Sequence, residues 1–161
     1  MKAAVESGDA EKVAELMRQD PGFDVNRDVD GGGWTLLHHA CNKDSRSAVI
    51  PLLLAHPDID VNLKDGDGWT PFYFACYNGN TSCVREMLKD SRVKLNEPDN
   101  YQRTPLYLVA RHGYLDIIKG WIASGREMDL GKPGDYKTDA IGGAERETQD
   151  KSGDPAGGIQ E

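Results

Sequence analysis

The chain has 161 residues, 38% of them hydrophobic and only 7% aromatic, which is enough for one domain with its own core. Against 27 Asp and Glu stand only 19 Lys and Arg, a net charge of −8 that argues against a nucleic-acid binder or an anionic-membrane anchor, since both need a basic face. No apolar run reaches the length of a membrane span and the N-terminus turns polar too soon for a secretory signal, so an intracellular protein, cytoplasmic or nuclear, is expected.

In chain order, residues 1–26 come first. Ala4, Val5, Gly8, Asp9, Val13, Leu16 and Met17 fit the end of one helix, a turn and a second helix. Then a block recurs: Trp34-Thr35-Leu36-Leu37-His38-His39-Ala40-Cys41, Trp69-Thr70-Pro71-Phe72-Tyr73-Phe74-Ala75-Cys76, and Arg103-Thr104-Pro105-Leu106-Tyr107-Leu108-Val109-Ala110. The threonines are 35 and 34 residues apart. After each block follows a second apolar stripe: Val49, Leu52 and Leu53, then Val84, Met87 and Leu88, then Ile118, Trp121 and Ile122. Val25-Asn26, Val61-Asn62 and Leu95-Asn96 occupy equivalent places, with Met128-Asp129 read as an altered fourth copy. A constant period of this length means a stacked array.

Each unit has a physical reading. Threonine caps a helix of about two and a half turns, with proline in its first turn in two units. Small residues such as Ala40, Cys41, Ala75, Cys76 and Ala110 let neighbours approach closely. Asn78-Gly79 and His112-Gly113 supply a left-handed turn, and a second helix folds back on the first. Segments such as Lys64-Asp65-Gly66-Asp67-Gly68 connect units by a tight hairpin-like turn. No unit buries its apolar face alone.

The chain therefore resembles the ankyrin-repeat family. The family's Thr-Pro-Leu-His-x-Ala-Ala pattern stands most fully as Thr70-Pro71-Phe72-Tyr73-Phe74-Ala75-Cys76, and its preceding Asp-x-x-Gly as Asp65-Gly66-Asp67-Gly68. The expected fold is an all-α solenoid with short hairpin-like turns over residues 1–141: a helical cap at 1–26, repeats at about 27–62, 63–96 and 97–131, and the start of a degenerate further unit at 132–141. Residues 142–161 read as a disordered, Gly-rich acidic tail, with a short helix at 144–151 left open.

Three departures stand out. Tyr73 and Tyr107 replace the family's histidine, which only His38 retains. Asn42-Lys43-Asp44 stands where glycine makes the turn, with Asp44 as a left-handed residue. Pro51 lies in the second helix of the first full unit, where it costs about 3 kcal/mol unless it falls in the first turn. That unit is expected to be the most irregular. With an incomplete C-terminal unit, apolar surface around Ile118, Trp121 and Ile122 is expected to be exposed.

Chemistry finds little footing. The cysteines Cys41, Cys76 and Cys83 have no Cys-x-x-Cys spacing and read as reduced core thiols. His38, His39 and Cys41 share a helix whose pattern assigns them to packing, and His56 and His112 read as solvated turn residues. Asp65 and Asp67 lack the remaining ligands of a calcium loop. Neither a phosphate-binding Gly-rich loop nor a nucleophile elbow occurs, so no enzyme, no metal and no cofactor is expected.

The resemblance implies surface recognition instead, on a concave face formed by loop tips and inner helices. Carried over unit by unit, its variable positions are Trp34, Asn42 and Lys43; then Lys64, Asp67, Trp69, Tyr77 and Asn78; then Asn100, Tyr101, Arg103, Arg111 and His112. For Trp34 and Trp69 two readings stay open, anchoring a partner or covering the adjoining turn. The tips carry Asp28, Asp30, Asp65, Asp67, Glu97 and Asp99 against Arg27, Lys64 and Arg103, so a protein partner with a basic strip is expected. The function expected is a protein-interaction module, a scaffold or adaptor. The alternatives are a subunit that occludes an enzyme and a substrate of an asparagine hydroxylase at Asn62, which follows Leu54, Asp60 and Val61 in the required spacing. The chain is expected to be monomeric unless its open C-terminal end self-associates.

Overall fold

The computed structural model describes residues 1–129 and 131, which form eight α-helices, one 3-10 helix and no β-strand. Helices α1 (Lys2–Ser7) and α2 (Ala10–Gln19) make the N-terminal half-unit, joined through Gly8 in the left-handed conformation. The Asp9 carboxylate caps α2 by accepting the Lys12 N–H at 2.9 Å. Three full units follow. Their inner helices are α3 (Leu36–Cys41), α5 (Pro71–Tyr77) and α7 (Pro105–His112). Their outer elements are the 3-10 helix Asp44–Val49 running into α4 (Ile50–Leu54), then α6 (Thr81–Leu88) and α8 (Leu115–Ser124). At six to eight residues, the inner helices are nearer two turns than the two and a half expected.

All three threonines cap as the sequence indicates. The Thr35, Thr70 and Thr104 hydroxyls accept the N–H of residues 38, 73 and 107 at 3.5, 3.1 and 3.2 Å. The inner helices stack α1 on α3, α3 on α5 and α5 on α7, while α6 packs on α4 and α8 on α6. Between the two rows lies one core, with Val5, Val13, Leu37, Ile50, Leu53, Phe72, Met87, Leu108, Ile117 and Trp121 among its fully buried side chains. Burying a side chain of this size stabilises by roughly 1.5–3 kcal/mol. Because neighbouring units share that core, each depends on the next.

The first full unit is the irregular one, but not as the sequence reading supposed. Asp44 is not left-handed; among the described residues only Gln102 has a positive φ without being glycine. The chain turns through an extended Lys43 (φ −139°) into the 3-10 helix. This frees the Asp44 carboxylate to cap the next unit's outer helix, accepting from the N–H groups of Ser82 (2.7 Å) and Cys83 (3.3 Å) and from the Ser82 hydroxyl (3.0 Å). Pro51 falls in the first turn of α4, where its missing N–H is no loss.

Asparagines latch successive units. Asn26 donates to the Asp58 carbonyl (2.7 Å) and accepts from the Asp60 N–H (2.8 Å). Asn62 does the same with Arg92 (2.9 Å) and Lys94 (2.8 Å), and Asn96 accepts from Asp129 (3.0 Å). This corrects the register at the end of the array. Asp129 takes the place of Asp60, and Gly131, whose N–H reaches the Asp129 carboxylate at 2.9 Å as that of Asn62 reaches Asp60, takes the place of the asparagine. Met128-Asp129 is therefore not the fourth copy of Val-Asn; the latch position carries glycine.

The loop tips close by backbone hydrogen bonds, Val29 to Trp34 (2.9 Å), Asp65 to Trp69 (3.0 Å) and Asp99 to Arg103 (3.0 Å), with Gly68 to Asp65 and Gln102 to Asp99 (3.0 Å each) added in the second and third tips. Successive tips touch. Gly66 donates to the Gly32 carbonyl at 3.1 Å, and Asn100 to that of Asp67 at 3.4 Å. Glycines make room for this. A Cβ on Gly33 would lie 3.0 Å from the Asp65 Cα, and one on Gly68 3.1 Å from the Asn100 nitrogen. In the third tip the same left-handed position is held by Gln102 (φ 64°).

At the C-terminal end the expected exposure is half right. Leu115 and Ile122 are each 63% exposed and Ile118 is half-buried. Trp121, expected on the open surface, is fully buried edge-on against Phe72 at 5.4 Å, its Nε1–H reaching the Glu127 carbonyl at 3.3 Å. It faces the unit behind it, and Met87, its counterpart on α6, is likewise fully buried. Val84 and Leu88, the counterparts of Ile118 and Ile122, are buried. The further unit expected at 132–141, the tail at 142–161 and the helix at 144–151 lie outside the described residues.

Candidate functional site

The residues singled out on the loop tips and inner-helix ends come together unevenly. Trp34 meets Phe74 at 4.6 Å between ring centroids, Phe74 meets Trp69 at 4.8 Å, Trp69 meets Tyr77 at 4.7 Å, and Tyr77 meets His112 at 6.0 Å. His112 stacks in turn on Tyr114. One continuous ribbon of rings thus crosses the three full units. Trp34 and Trp69 are half-buried within it and brace its stacking, while Tyr77 (39%) opens to solvent. Tyr101 (78% exposed) stands apart at the third tip, with the Arg103 guanidinium 5.2 Å from its ring centre. Phe74 and Tyr114 carry no sequence signal for this role; their place in the ribbon depends on the rings that neighbouring units bring against them.

Polar members of the set are variously engaged. The Asn78 side-chain amide donates to the Asn42 side-chain Oδ1 at 3.1 Å, tying the ends of two inner helices, and Lys43 beside Asn42 is exposed. Lys64 pairs with Glu97 at 3.3 Å. Asp67 and Asn100 are exposed at adjoining tips. Arg111 is exposed, its Nη1 donating to the Tyr107 hydroxyl at 2.8 Å. Asn62 is half-buried with its side-chain amide taken up by the latch.

The acidic tips need correcting. Asp65 and Asp99 are buried, and they and the exposed Asp28 hold the loop backbone by accepting its N–H groups. The Asp65 carboxylate accepts from the N–H groups of Asp67 and Trp69, both at 2.9 Å. That of Asp28 accepts from Asp30, Gly31 and Gly33 at 2.8–3.1 Å, and these backbone donors hold it below the usual carboxylate range. Asp99 accepts the Tyr101 and Arg103 N–H groups (2.9 Å each), the Tyr73 hydroxyl (2.7 Å) and the Arg103 Nε (2.8 Å). Burial raises its pKa, but these donors together bring it below the ordinary value. The carboxylate left to meet a partner is chiefly that of Asp67, since Asp30 accepts the Gly32 N–H (3.3 Å) and meets His39 (3.2 Å), and Glu97 is shared with Lys64.

His38, His39, His56 and the three cysteines are buried and serve packing. The His38 Nδ1 accepts from the Thr35 N–H at 3.1 Å while Nε2 donates to the Trp69 carbonyl of the next unit at 2.9 Å. Burial pulls its pKa down, favouring the neutral ring this requires. His39 sits between Glu6 (3.4 Å) and Asp30 (3.2 Å). His56, expected to be solvated, is instead buried against Phe23. All three cysteines are buried, and burial pushes the Cys83 thiol up to about 12 and those of Cys41 and Cys76 well above the ordinary value, so none is a ready nucleophile. Among the described residues no group of three His, Cys, Asp or Glu side chains is placed to hold a metal, and no helix is long and apolar enough to cross a membrane. On the outer side an open groove of about 700 Å³ runs between α6 and α8. Its Arg126 donates to the Leu88, Asp90 and Val93 carbonyls and so closes the preceding unit.

The family model for ankyrin repeats in three copies matches residues 47–130, more than half of the chain. The chain belongs to the ankyrin-repeat family. Over 89 residues the chain is 42% identical to the SMC5-SMC6 complex localization factor protein 1 of Bos taurus and, equally, to that of Homo sapiens. The match covers 54% of this chain and 8% of the length of those relatives. Ankyrin repeats serve as protein-interaction modules.

Proposed function

We propose that this ankyrin array is an adaptor that holds a basic segment of a partner protein on its tip and inner-helix face. The observation that carries the reading is exposed aromatic surface at Tyr77 and Tyr101 on the same tip and inner-helix elements as the exposed Asp67, a carboxylate with no ion pair among the described residues. Aromatic rings supply large contact area with little side-chain freedom to lose, and an unneutralised carboxylate beside them selects cations. The relatives are named for the localisation of a complex, which suits an adaptor better than a subunit that occludes an enzyme.

The test is binding of a fluorescent, amidated lysine-rich peptide followed by anisotropy, beside the Asp67→Lys and Tyr77→Ala variants. Binding weakened about tenfold or more by each, and association slowed by salt, is the expected result. Binding that ignores both substitutions and ionic strength would place the partner elsewhere.

A further inference from the structure

Two joints of the array use the same side-chain position differently. Tyr73 and Tyr107 each stand three residues after their capping threonine. In the second unit the Tyr73 hydroxyl donates forward to the Asp99 carboxylate (2.7 Å), which Arg103 also grips through Nε (2.8 Å) and Nη2 (2.6 Å). A tyrosine hydroxyl and a guanidinium thus converge on one carboxylate. In the third unit a tyrosine hydroxyl and a guanidinium again come together. The Tyr107 hydroxyl accepts from Arg111 one helical turn on and keeps its own proton to donate, and Arg111 keeps its remaining N–H donors. Among the described residues no carboxylate bonds to Tyr107 or pairs with Arg111.

Resting on the adaptor reading above, we propose that Tyr107 and Arg111 form a carboxylate-recognition site at the third-unit end of the binding face. It takes a Glu or Asp side chain of the same partner segment whose basic residues meet Asp67. Three features favour this. Tyr107 is almost fully buried and so fixed, while Arg111 is exposed. The phenol orients the guanidinium without neutralising it, so a carboxylate meets a positive charge already held in place. Arg111 also stands seven residues after its threonine, as Asn42 and Tyr77 do, in the row of residues facing the partner. The partner segment is therefore of mixed charge, basic toward the second tip and acidic toward the third unit. Its carboxylate would be held by charge-assisted hydrogen bonds.

The test compares two amidated peptides on the whole chain, one lysine-rich and ending in two glutamates, the other with glutamines in their place. The glutamate peptide is expected to bind about tenfold more tightly. Arg111→Gln should erase that difference, Arg111→Lys should keep part of it, and Tyr107→Phe should reduce it several-fold, with helicity by circular dichroism unchanged in each. Equal binding of the two peptides, or a preference that survives Arg111→Gln, overturns the site and leaves the adaptor reading intact. If neither peptide binds, both fall. A shift of the Arg111 side-chain NMR signals on Asp135→Asn, which removes the one acid in the 132–138 stretch where the sequence starts a further unit, would, without peptide, mean that the chain's own carboxylate fills the site and would also overturn the proposal.

Discussion

Removing one asparagine side chain tests how the units hold together. Asn62 bridges two successive loops with a donated bond to the Arg92 carbonyl (2.9 Å) and an accepted bond from the Lys94 N–H (2.8 Å). Each such bond contributes about 0.5–1.5 kcal/mol net. Because the side chain is half-buried, water can reach the freed groups in part, so Asn62→Ala should lose about 2 kcal/mol rather than the larger penalty of a sealed site. For a domain of this size that lowers Tm by roughly 4–8 °C. Asn62→Asp keeps the acceptor and loses the donor, and should fall about midway. Urea unfolding followed by tryptophan fluorescence gives the free energy, and hydrogen exchange at the Lys94 amide reports the bond itself. A loss under about 0.5 kcal/mol with unchanged Lys94 protection would refute the latch as a source of coupling between units.

Two further outcomes follow from single residues. His38 is held neutral by burial, so its contribution to stability is complete above its ordinary value of 6.5 and is lost as pH falls below it; His38→Tyr, which installs the residue of the other two units, should flatten the slope of unfolding free energy between pH 7.5 and 5. At the third tip, Gln102 holds a left-handed conformation that glycine adopts without strain, so Gln102→Gly should stabilise by up to about 1 kcal/mol in thermal unfolding, whereas a loss would mean that the glutamine side chain makes a compensating contact.

Whatever depended on residues close in the chain was legible beforehand. The threonine caps, the paired helices, the left-handed glycines at 79 and 113 and the N-terminal half-unit all rest on short-range patterns, and all stand in the structure. The misreadings share a cause. Asp44 looked like a turn residue because its acceptors' partners, Ser82 and Cys83, lie 38 and 39 positions away. Trp121 was placed on the open end because a stripe of spacing three and four shows that a face is apolar but not which neighbour it meets. The pairing of Tyr107 with Arg111 was within reach as an i, i+4 spacing, yet its meaning comes only from comparison with Tyr73 and Asp99 in space.

The charge of −8 illustrates the same division. From the sequence, six tip acids formed one acidic edge. Folding separates them, since Asp28, Asp65 and Asp99 satisfy loop N–H groups that would otherwise lose their hydrogen bonds, and only carboxylates not needed there are left to meet a partner. Sequence alone determined the repeat, its period and its family, because helix caps and apolar stripes are local and recur. Tertiary structure decided which charges, rings and hydroxyls remain free to bind, because that depends on what the adjoining unit has already taken.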